Sequence, residues 1–578
     1  MADETATPAF PSLEEMQHWT WVIGKAQQMM IEHGLKQTGQ PIPAASAAPG
    51  SFPSFGGVPN LAKATVDFWT DSVALWQRFL TPDATPAAPV KDRRFAAPEW
   101  SANPVFDMIR QSYLLVADHM LKAADNLDGV VAVQKEKIAF ATRTIVEAMS
   151  PSNFALTNPV VLQKTIESGG QNLLKGLEHM LADLERGQLT HTDPDAFEVG
   201  RNIAITPGKI IHETPLYQLI HYAPTTPDVL AVPLLIFPPW INRFYILDLN
   251  PEKSFIKWVV EQGVSVFIVS WKSADASMKD VIWDDYVVRG EIDAIDTVRD
   301  LLDVESVHTI GYCVAGTTLA AALALLEARG EAGKVKSATF FTAQVDFSKS
   351  GELQMFVDDE QLKMIEGIAA DGYLDGRYMA ATFNLLRGRD LIWNYVVNNY
   401  LLGEDYPPFD LLHWNGDTTN LPVKWHQSYL KDLYRDNRLV IPGSMLVEGT
   451  PIDLRTVKTP SYIQAGREDH IAPAESVWKI MDHFAGPNRF VLAGSGHIAG
   501  VVNPPHANKY QYWRNDSATR FEDYLAGAVE TKGSWWPDWI EWLRGHDSRL
   551  VKATGARKPG AGKLKAIEDA PGRYAKTR

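Results

Sequence analysis

The sequence almost lacks cysteine: its 578 residues contain only Cys313. A single cysteine excludes an intrachain disulfide and any metal or iron–sulfur site that needs several cysteines. Chains without disulfides are typical of a reducing compartment. We therefore expect a cytoplasmic protein in which this one thiol is free for chemistry or for packing.

The sequence also lacks long apolar runs and a net positive charge. The uncharged run 306–326 contains glycines and threonines, so we interpret it as a strand, a turn and a helix, not as a membrane span. The N-terminus is acidic and precedes no apolar segment, which predicts that there is no secretory signal. Lys and Arg number 55 against 70 Asp and Glu, giving a formal charge of −15, which argues against general nucleic-acid binding. We expect a soluble protein.

The sequence pattern changes near residue 200. Before it, apolar residues recur at helical spacing, and two proline-rich linkers interrupt them at 40–60 and 82–89. Helices are predicted at about 12–32, 61–80, 104–127 and 159–184. We therefore predict a mainly helical N-terminal domain over residues 1–200 and a second domain over residues 201–578.

Short apolar runs alternate with helical stretches in the second domain. Six of them are predicted strands: 232–237, 264–271, 307–310, 338–341, 461–465 and 489–492. Such runs are typical of buried parallel strands, so the predicted fold class is α/β. Between about 345 and 440 the alternation stops, which indicates an insertion that caps the sheet. Residues 551–578 hold eight basic and two acidic residues, and we interpret them as a solvated tail.

Cys313 lies in the string GYCVAG, residues 311–316, between a strand-like run and a strong helix former. A strand, a sharp turn of small residues, a nucleophile and a helix form the nucleophile elbow of the α/β-hydrolase class, here with sulfur in place of oxygen. The N-terminus of the helix favours a thiolate, and the N–H of Val314 can point at a developing oxyanion. The alternative is an unreactive, buried cysteine.

In this fold class an acid and a base follow the nucleophile, each after a late strand. Asp469 lies in the loop after the fifth predicted strand, and His497 lies in the loop after the sixth. Carboxyl ends of parallel strands meet at one edge of a sheet, so both side chains are predicted to join Cys313 there. Glu468 remains an alternative to Asp469 as the acid that orients the histidine.

A second oxyanion donor in this class comes from the loop after an early strand. The first predicted strand ends in PPWIN, residues 238–242, where the prolines have no N–H to donate. The backbone N–H of Ile241 is our candidate donor, with Trp240 as an alternative. A rigid turn without a catalytic role is equally compatible with this string.

With these residues, the chain resembles the polyhydroxyalkanoate synthases, which polymerise 3-hydroxyacyl-CoA into storage polyester. The resemblance covers nearly all of residues 95–578 and rests on the strings GYCVAGT, PPWINRFYILDLNPEKSF, WDDY, FDLLHWNGDTTNLP, GREDHIAP, GSGHIAGVVNPP, GSWWPDWIEWL and APGRYAK. It implies an α/β-hydrolase fold with a cap, in which Cys313 is the nucleophile, His497 the general base and Asp469 its partner. Ala315 departs from the glycine that the family often has two residues after the cysteine.

The resemblance also implies a substrate and partners. The string WNGD around Gly416 is more similar to class I members, which prefer short-chain monomers such as 3-hydroxybutyryl-CoA. The CoA thioester is then the substrate, and no cofactor or metal ion is expected. A homodimer on the growing polyester at cytoplasmic granules is implied in the same way, with phasins as further partners.

Two other functions are compatible with the same motifs. A cysteine-dependent hydrolase of this fold, of the thioesterase or dienelactone hydrolase type, would pass the acyl group to water. A non-catalytic granule protein would keep the fold without the chemistry. In the N-terminal domain, Val66, Trp69, Val73, Trp76 and Leu80 share one helix face, which suits either ordinary helix packing or contact with polymer, a phasin or another chain.

Overall fold

The computed structural model describes residues 67, 68, 70–75, 77, 91–127 and 129–577. All of them belong to one of two compact units of the chain, Ala64–Arg578. The first predicted helix and both proline-rich linkers lie outside the described residues. Val66, Trp69, Trp76 and Leu80 of the predicted apolar face also lie outside them, whereas Val73 is helical and 52% exposed.

Helices precede the sheet, as predicted for the N-terminal region. Their bounds are Glu99–Ala102, Pro104–Asp125, Ala132–Ala148, Pro159–Glu167 and Gln171–Arg186. The side chain of Asn103 accepts a hydrogen bond from the N–H of Val105 and so caps the second helix. The predicted helix 159–184 is interrupted, because Gly169 and Gly170 have φ angles of 59° and 85°, which end one helix before the next begins. The helix Ala132–Ala148 was not predicted from the sequence, because its apolar residues are spread around the helix axis and do not form one face.

Strands follow from residue 208 onward. In chain order they are β1 Gly208–Glu213, β2 Tyr217–Tyr222, β3 Asp228–Leu230, β4 Leu234–Phe237, β5 Val266–Trp271, β6 Val307–Tyr312, β7 Val335–Phe341, β8 Tyr373–Leu374, β9 Leu421–Pro422, β10 Leu446–Val447, β11 Thr450–Pro451, β12 Ser461–Gly466, β13 Asn488–Ala493, β14 Gln511–Arg514, β15 Val529–Lys532, β16 Leu550–Lys552 and β17 Glu568–Asp569. The predicted strands are β4, β5, β6, β7, β12 and β13, and all six are confirmed within a few residues.

One mixed sheet of eleven strands has the order β15-β14-β13-β12-β7-β6-β4-β5-β2-β1-β17. Neighbours from β13 to β5 in this order pair in parallel, as predicted. Antiparallel strands extend both edges of this parallel core. Strand β2 is fully buried but was not predicted, because the polar residues Gln218 and His221 interrupt its apolar run. Gln218 donates to Glu213 and Glu568, which satisfies its amide inside the structure.

Helices cover both faces of the sheet. Leu234 and Ile236 of β4 belong to one core cluster, and Leu235 and Phe237 belong to another. This alternation places one cluster on each face and explains why the central strands are mostly apolar. The helices after β4 and outside the insertion are Phe255–Glu261, Trp283–Asp285 with the π-helical turn Tyr286–Ile292, Asp293–Leu302, Val314–Ala328, Ala474–Trp478, Ile480–His483, Phe521–Gly527 and Trp536–His546.

A helical insertion separates β7 from β12, where the sequence predicts a cap. Its helices are Asp359–Ile368, Gly376–Leu386, Asp410–Gly416 and Val423–Ser428, with π-helical segments Arg389–Trp393, Val396–Leu401 and Tyr429–Arg435. We call this insertion the cap. The predicted fold class, an α/β-hydrolase fold with a cap and a preceding helical region, is confirmed. None of the helices within the described ranges is both long and apolar enough to cross a bilayer.

The C-terminal residues are not a solvated tail, so that interpretation is wrong. Strand β16 pairs with β3, and β17 pairs with β1. Arg557 is buried and donates to the carbonyl groups of Leu230 and Ala231. Arg243 donates to the carbonyl groups of Tyr574 and Thr577 near the end of the chain, at 2.7 Å each. The number of charged residues did not reveal this packing. Backbone carbonyl groups satisfy the buried guanidinium of Arg557, and strand pairing holds the segment in place.

Candidate active site

Cys313 lies at the sharp turn between β6 and the helix Val314–Ala328. Its backbone has φ 54° and ψ −125°, a region that side chains rarely adopt and that costs about 1–3 kcal/mol. The turn is held by main-chain hydrogen bonds: the Cys313 N–H donates to Phe341, and the Cys313 carbonyl accepts from Gly316 and Thr317. The strained elbow predicted from the sequence is therefore present, with the thiol half-buried at its apex.

Gly311 and Gly316 approach each other closely at this elbow. A Cβ atom on Gly311 would lie 2.5 Å from the Cα of Gly316. A Cβ atom on Gly316 would overlap the Cβ of Ala343 and lie 2.8 Å from the carbonyl oxygen of Gly311. Ala315 is fully buried and its methyl group is accommodated in the core. The position after Cys313 that must lack a side chain is therefore 316, and the alanine at 315 fits.

We expect Gly316→Ala to lower the free energy of unfolding by about 1–3 kcal/mol, because the new methyl group overlaps backbone and Ala343. Denaturant unfolding measures this change. Gly545→Ala is the matched control, since Gly545 also lies in a helix and a Cβ there meets nothing within 4 Å. Equal stability of the two variants would contradict the close approach at the elbow.

His497 and Asp469 meet at the carboxyl ends of β13 and β12. The Nδ1 atom of His497 lies 2.7 Å from Oδ2 of Asp469, and the Asp469 side chain is completely buried. The other oxygen, Oδ1, accepts hydrogen bonds from the N–H groups of Ile471 and Ala472 at 2.8 and 2.9 Å. Tyr312, next to Cys313, donates from its hydroxyl to the His497 carbonyl at 2.9 Å. Both residues are thus held firmly beside the elbow.

Glu468 does not occupy the acid position. Its side chain is exposed, and only its backbone N–H is engaged nearby, donating to the carbonyl of Ser495 at 3.1 Å. Adjacent residues in this loop point in different directions, and the structure brings the Asp469 carboxylate to the imidazole.

Burial and the neighbouring side chains shift the pKa of His497 in opposite directions. Desolvation alone would lower the pKa of His497, but the Asp469 carboxylate and then Cys313 outweigh it. Hydrogen bonds to the same two side chains add to this effect, and the pKa rises to about 10. The imidazole therefore holds its proton throughout the neutral range, between a carboxylate on one side and the thiol on the other.

Cys313 opens into an apolar cavity of about 250 Å³. Ile241 lines this cavity together with Cys313, whereas the ring of Trp240 packs in the core, stacked on Tyr286 at 4.1 Å. The N–H of Val314 belongs to the first helical turn, whose N–H groups have no partner within the helix. Ile241 therefore faces the same cavity as Cys313, Val314 follows Cys313 directly in the chain, and the Trp240 ring lies outside the lining of this cavity.

Cap residues line most of the remainder of the cavity, and the sequence did not indicate which residues of the insertion do so. Tyr434 accepts a hydrogen bond from Gln344, whose own oxygen accepts from Ser476 at 2.9 Å. His426 is fully buried, and burial lowers its pKa to about 4, so its ring is neutral. The only sequence signal for these residues was the high frequency of aromatic residues in the insertion. Most of the side chains that line the cavity are apolar.

Known proteins match the chain over most of its length. The family described as "Poly-beta-hydroxybutyrate polymerase (PhaC) N-terminus" matches residues 91–259, and the "alpha/beta hydrolase fold" family matches residues 237–504. The poly(3-hydroxyalkanoate) polymerase subunit PhaC of Rhizobium meliloti is 47% identical over 493 residues, which cover 84% of this chain and 80% of that protein. The subunit of the same name from Cupriavidus necator is 44% identical over 518 residues, which cover 88% and 87%.

Solved structures are more distant. An esterase from Exiguobacterium antarcticum is 13% identical, with a TM-score of 0.29, and the match covers 51% of this chain and 94% of the esterase.

Proposed function

The chain belongs to the poly(3-hydroxyalkanoate) polymerase family, and from this premise we propose that it polymerises 3-hydroxyacyl-CoA into polyester, with release of CoA, through an acyl group carried on Cys313. The observation that carries the proposal is the position of Cys313, at a strained elbow beside the His497–Asp469 pair and open to an apolar cavity. The reaction needs no cofactor, because the CoA thioester is already activated.

In the first step, the Cys313 thiolate attacks the carbonyl carbon of the thioester. The attacking species is the thiolate form of Cys313, and protonated His497 lies beside it. The N–H groups of Val314 and Ile241 would donate to the oxyanion that forms. The bond to the CoA sulfur then breaks, the bond to Cys313 remains, and the imidazolium proton passes to the leaving CoA thiolate.

Loading leaves His497 ready for the next step. Its proton has passed to the departing CoA, so the imidazole is neutral. A neutral imidazole can act as a general base. One histidine can thus serve as acid in loading and as base in transfer.

In the second step, the 3-hydroxyl group of another monomer attacks the acyl thioester. His497 takes the hydroxyl proton, an oxygen ester forms, and the bond to the Cys313 sulfur breaks. Asp469 holds the tautomer in which Nδ1–H points at its carboxylate and Nε2 faces the reaction. The lengthened chain is then a CoA thioester that can load Cys313 again, and the proton taken by His497 passes to the CoA that leaves.

The cavity supports a short acyl chain and the exclusion of water. A volume of about 250 Å³ lies below the range of about 300–1,000 Å³ that is usual for sites of drug-sized ligands. Water would hydrolyse the acyl thioester, so an apolar cavity beneath a cap favours transfer to a hydroxyl group. We therefore propose 3-hydroxybutyryl-CoA as the monomer. An enzyme that stays attached to an insoluble chain would sit on granules in the cytoplasm, as a homodimer and with phasins as neighbours.

The rival function is hydrolysis by a cysteine hydrolase of the same fold, and the product distinguishes the two. The purified chain is incubated with 3-hydroxybutyryl-CoA while thiol release and turbidity are followed together. We expect CoA release with insoluble polyester. Release of CoA with free 3-hydroxybutyrate would establish a thioesterase, and no release would contradict both enzymes.

The His497 imidazolium is expected to make Cys313 reactive at neutral pH. Since the pKa of His497 is raised to about 10, the protonated imidazole persists beside the sulfur at pH 7. A neighbouring positive charge favours the reactive thiolate form of a cysteine. In His497→Gln this charge is lost, so we expect alkylation by iodoacetamide at pH 7 to be at least about tenfold slower. Intact mass reports this directly, because the chain has one cysteine.

Glu468→Gln is the control for this measurement and should keep the wild-type rate, because its side chain is exposed. A His497→Gln variant that alkylates at the wild-type rate at pH 7 would show that the imidazole does not support the thiolate.

A further inference from the structure

A cationic cleft lies between the N-terminal helices and the cap, apart from the cavity at Cys313. Its volume is about 750 Å³, and segments 91–100, 152–160 and 389–402 line it. Four of the lining side chains are basic: Lys91, Arg93, Arg94 and Arg389. The chain as a whole carries a formal charge of −15, so a cleft of this sign is unusual on it. We propose that this cleft binds the 3′-phosphorylated ADP part of the CoA thioester, an inference that rests on the proposed function.

The positive charge of the cleft is only partly neutralised. Asp92 binds Arg94 at 2.7 Å and also Arg389 at 3.0 Å, so one carboxylate serves two arginines. Glu147 interacts electrostatically with the same two arginines. Four cations against these two carboxylates leave a local balance of 4 − 2 = +2.

Two of the four cations are available for a ligand. Lys91 and Arg93 are exposed, and neither forms an ion pair with a carboxylate in the described part of the chain. The acidic residue in the lining, Asp390, already pairs with Arg387 at 2.7 Å. Arginine and lysine side chains of this kind bind phosphate groups through charge-assisted hydrogen bonds.

Aromatic and amide groups in the cleft suit an adenine ring. Trp393 lines the cleft with a partly exposed side chain, whereas Trp100 is only 1% exposed and packs edge-on against Phe95 and Phe106 in the cleft wall. Bases stack on accessible aromatic faces such as that of Trp393, and the amides of Asn394 and Asn398 supply donors and acceptors. The cleft volume also lies within the usual range for sites of small ligands. The cleft therefore combines side chains that can bind phosphate with side chains that can bind adenine.

The cleft lies near the point where the Cys313 cavity opens to the surface. Leu385 lines the Cys313 cavity and is 41% exposed, and Tyr378 on the same helix lines it and is 48% exposed, so the cavity opens to the surface there. Arg389 follows Leu385 by four residues, and four residues of chain span at most about 14 Å. The pantetheine arm of CoA is of similar length, since it has as many chain bonds as about four extended residues. The nucleotide of a CoA thioester whose arm leaves the cavity beside Leu385 would therefore lie near the cleft.

The test compares two thioesters of the same acyl group: 3-hydroxybutyryl-CoA and 3-hydroxybutyryl-N-acetylcysteamine, which has the thioester but no nucleotide. The variant reverses the charge of the two exposed cations, Lys91→Glu with Arg93→Glu. Lys509→Glu with Lys532→Glu is the matched control, because both lysines are exposed, lie at the β14–β15 edge and change the net charge equally. Initial rates of thiol release give KM and kcat for each substrate.

We expect the cleft variant to raise KM for the CoA thioester by about tenfold or more, and to leave KM for the short thioester within a factor of two. Added salt should raise the wild-type KM for the CoA thioester only. The control variant should match the wild type on both substrates. Equal effects of the cleft variant on both thioesters, or no effect on either, would overturn the assignment.

Calorimetric titration with adenosine 3′,5′-bisphosphate tests the cleft independently of turnover. Binding to the wild type that weakens at least about tenfold in the cleft variant supports the site, and equal binding, or none to the wild type, overturns it. If the wild type makes polymer but the cleft variant is unchanged, only the nucleotide site fails. If the wild type binds the bisphosphate through the cleft but releases no thiol from either thioester, the proposed function fails.

Discussion

Cys313→Ala is expected to form no polyester and to release no CoA from 3-hydroxybutyryl-CoA, a loss of at least about 10³-fold. The chain contains no second cysteine that could carry the acyl group. His497, Asp469 and the backbone donors remain, but none of them forms the acyl intermediate on which loading depends. Thiol release and light scattering, followed on the same sample, measure both parts of the loss.

The fold of this variant should be unchanged. Cys313 is half-buried, and alanine removes one sulfur atom while it keeps a Cβ at the same strained φ of 54°. We expect the free energy of unfolding to change by less than about 1 kcal/mol. Thermal unfolding of the wild type and Cys313→Ala in parallel checks this. Substantial polymer from folded Cys313→Ala would contradict the proposed mechanism.

His497→Gln is expected to fail at both loading and transfer, with an overall loss of about 10²–10⁴-fold. Loading loses the imidazolium that supports the thiolate and protonates CoA, and transfer loses the base that deprotonates the 3-hydroxyl group. Asp469→Asn should mainly slow transfer. Burial opposes the charge on His497, and the Asp469 carboxylate is the strongest group that raises its pKa against burial. Without it, a hydroxyl group of high pKa has no oriented base, whereas the elbow still assists a thiolate through the helix N-terminus.

Intact mass after brief exposure to 3-hydroxybutyryl-CoA separates these steps. Asp469→Asn should accumulate acyl-enzyme, and His497→Gln should show almost none. The asparagine oxygen can still accept from the N–H groups of Ile471 and Ala472, so the loop should keep its shape. Glu468→Gln is the neighbouring control and should behave as wild type. Loss of polymerisation in Glu468→Gln would show that Asp469 is not the acid that orients His497. Absence of acyl-enzyme in Asp469→Asn would show that the Asp469 carboxylate is also needed for loading.

Much of the site was accessible from the sequence because its parts are local. The parallel core strands are largely buried on both faces, so β4 to β7, β12 and β13 are mostly apolar runs that can be recognised without a structure. The elbow was recognisable because a strand, small residues and a strong helix former surround Cys313 within a few residues. Asp469 and His497 followed from chain order and from their places after late strands.

Other features depended on contacts between distant segments. The sequence could not choose between Asp469 and Glu468, because neighbours in a loop have the same context and only the fold shows which carboxylate lies 2.7 Å from His497. The antiparallel strand β2 was missed because Gln218 finds partners 5 and 350 residues away in the chain. The C-terminal segment was misjudged for the same reason, since its strand partners, β3 and β1, lie more than 300 residues earlier.

The sequence by itself therefore determined the fold class, the elbow around Cys313 and the candidate residues that follow it, because periodicity, small residues and strand ends act over short stretches of chain. The tertiary structure alone decided where side chains from remote segments meet. It placed the glycine requirement at 316, Ile241 in the lining of the Cys313 cavity, the cap over that cavity, and the cations of residues 91–94 in one cleft with Arg389. These are properties of packing and of summed charge in space, and residues that are hundreds of positions apart create them only when the chain is folded.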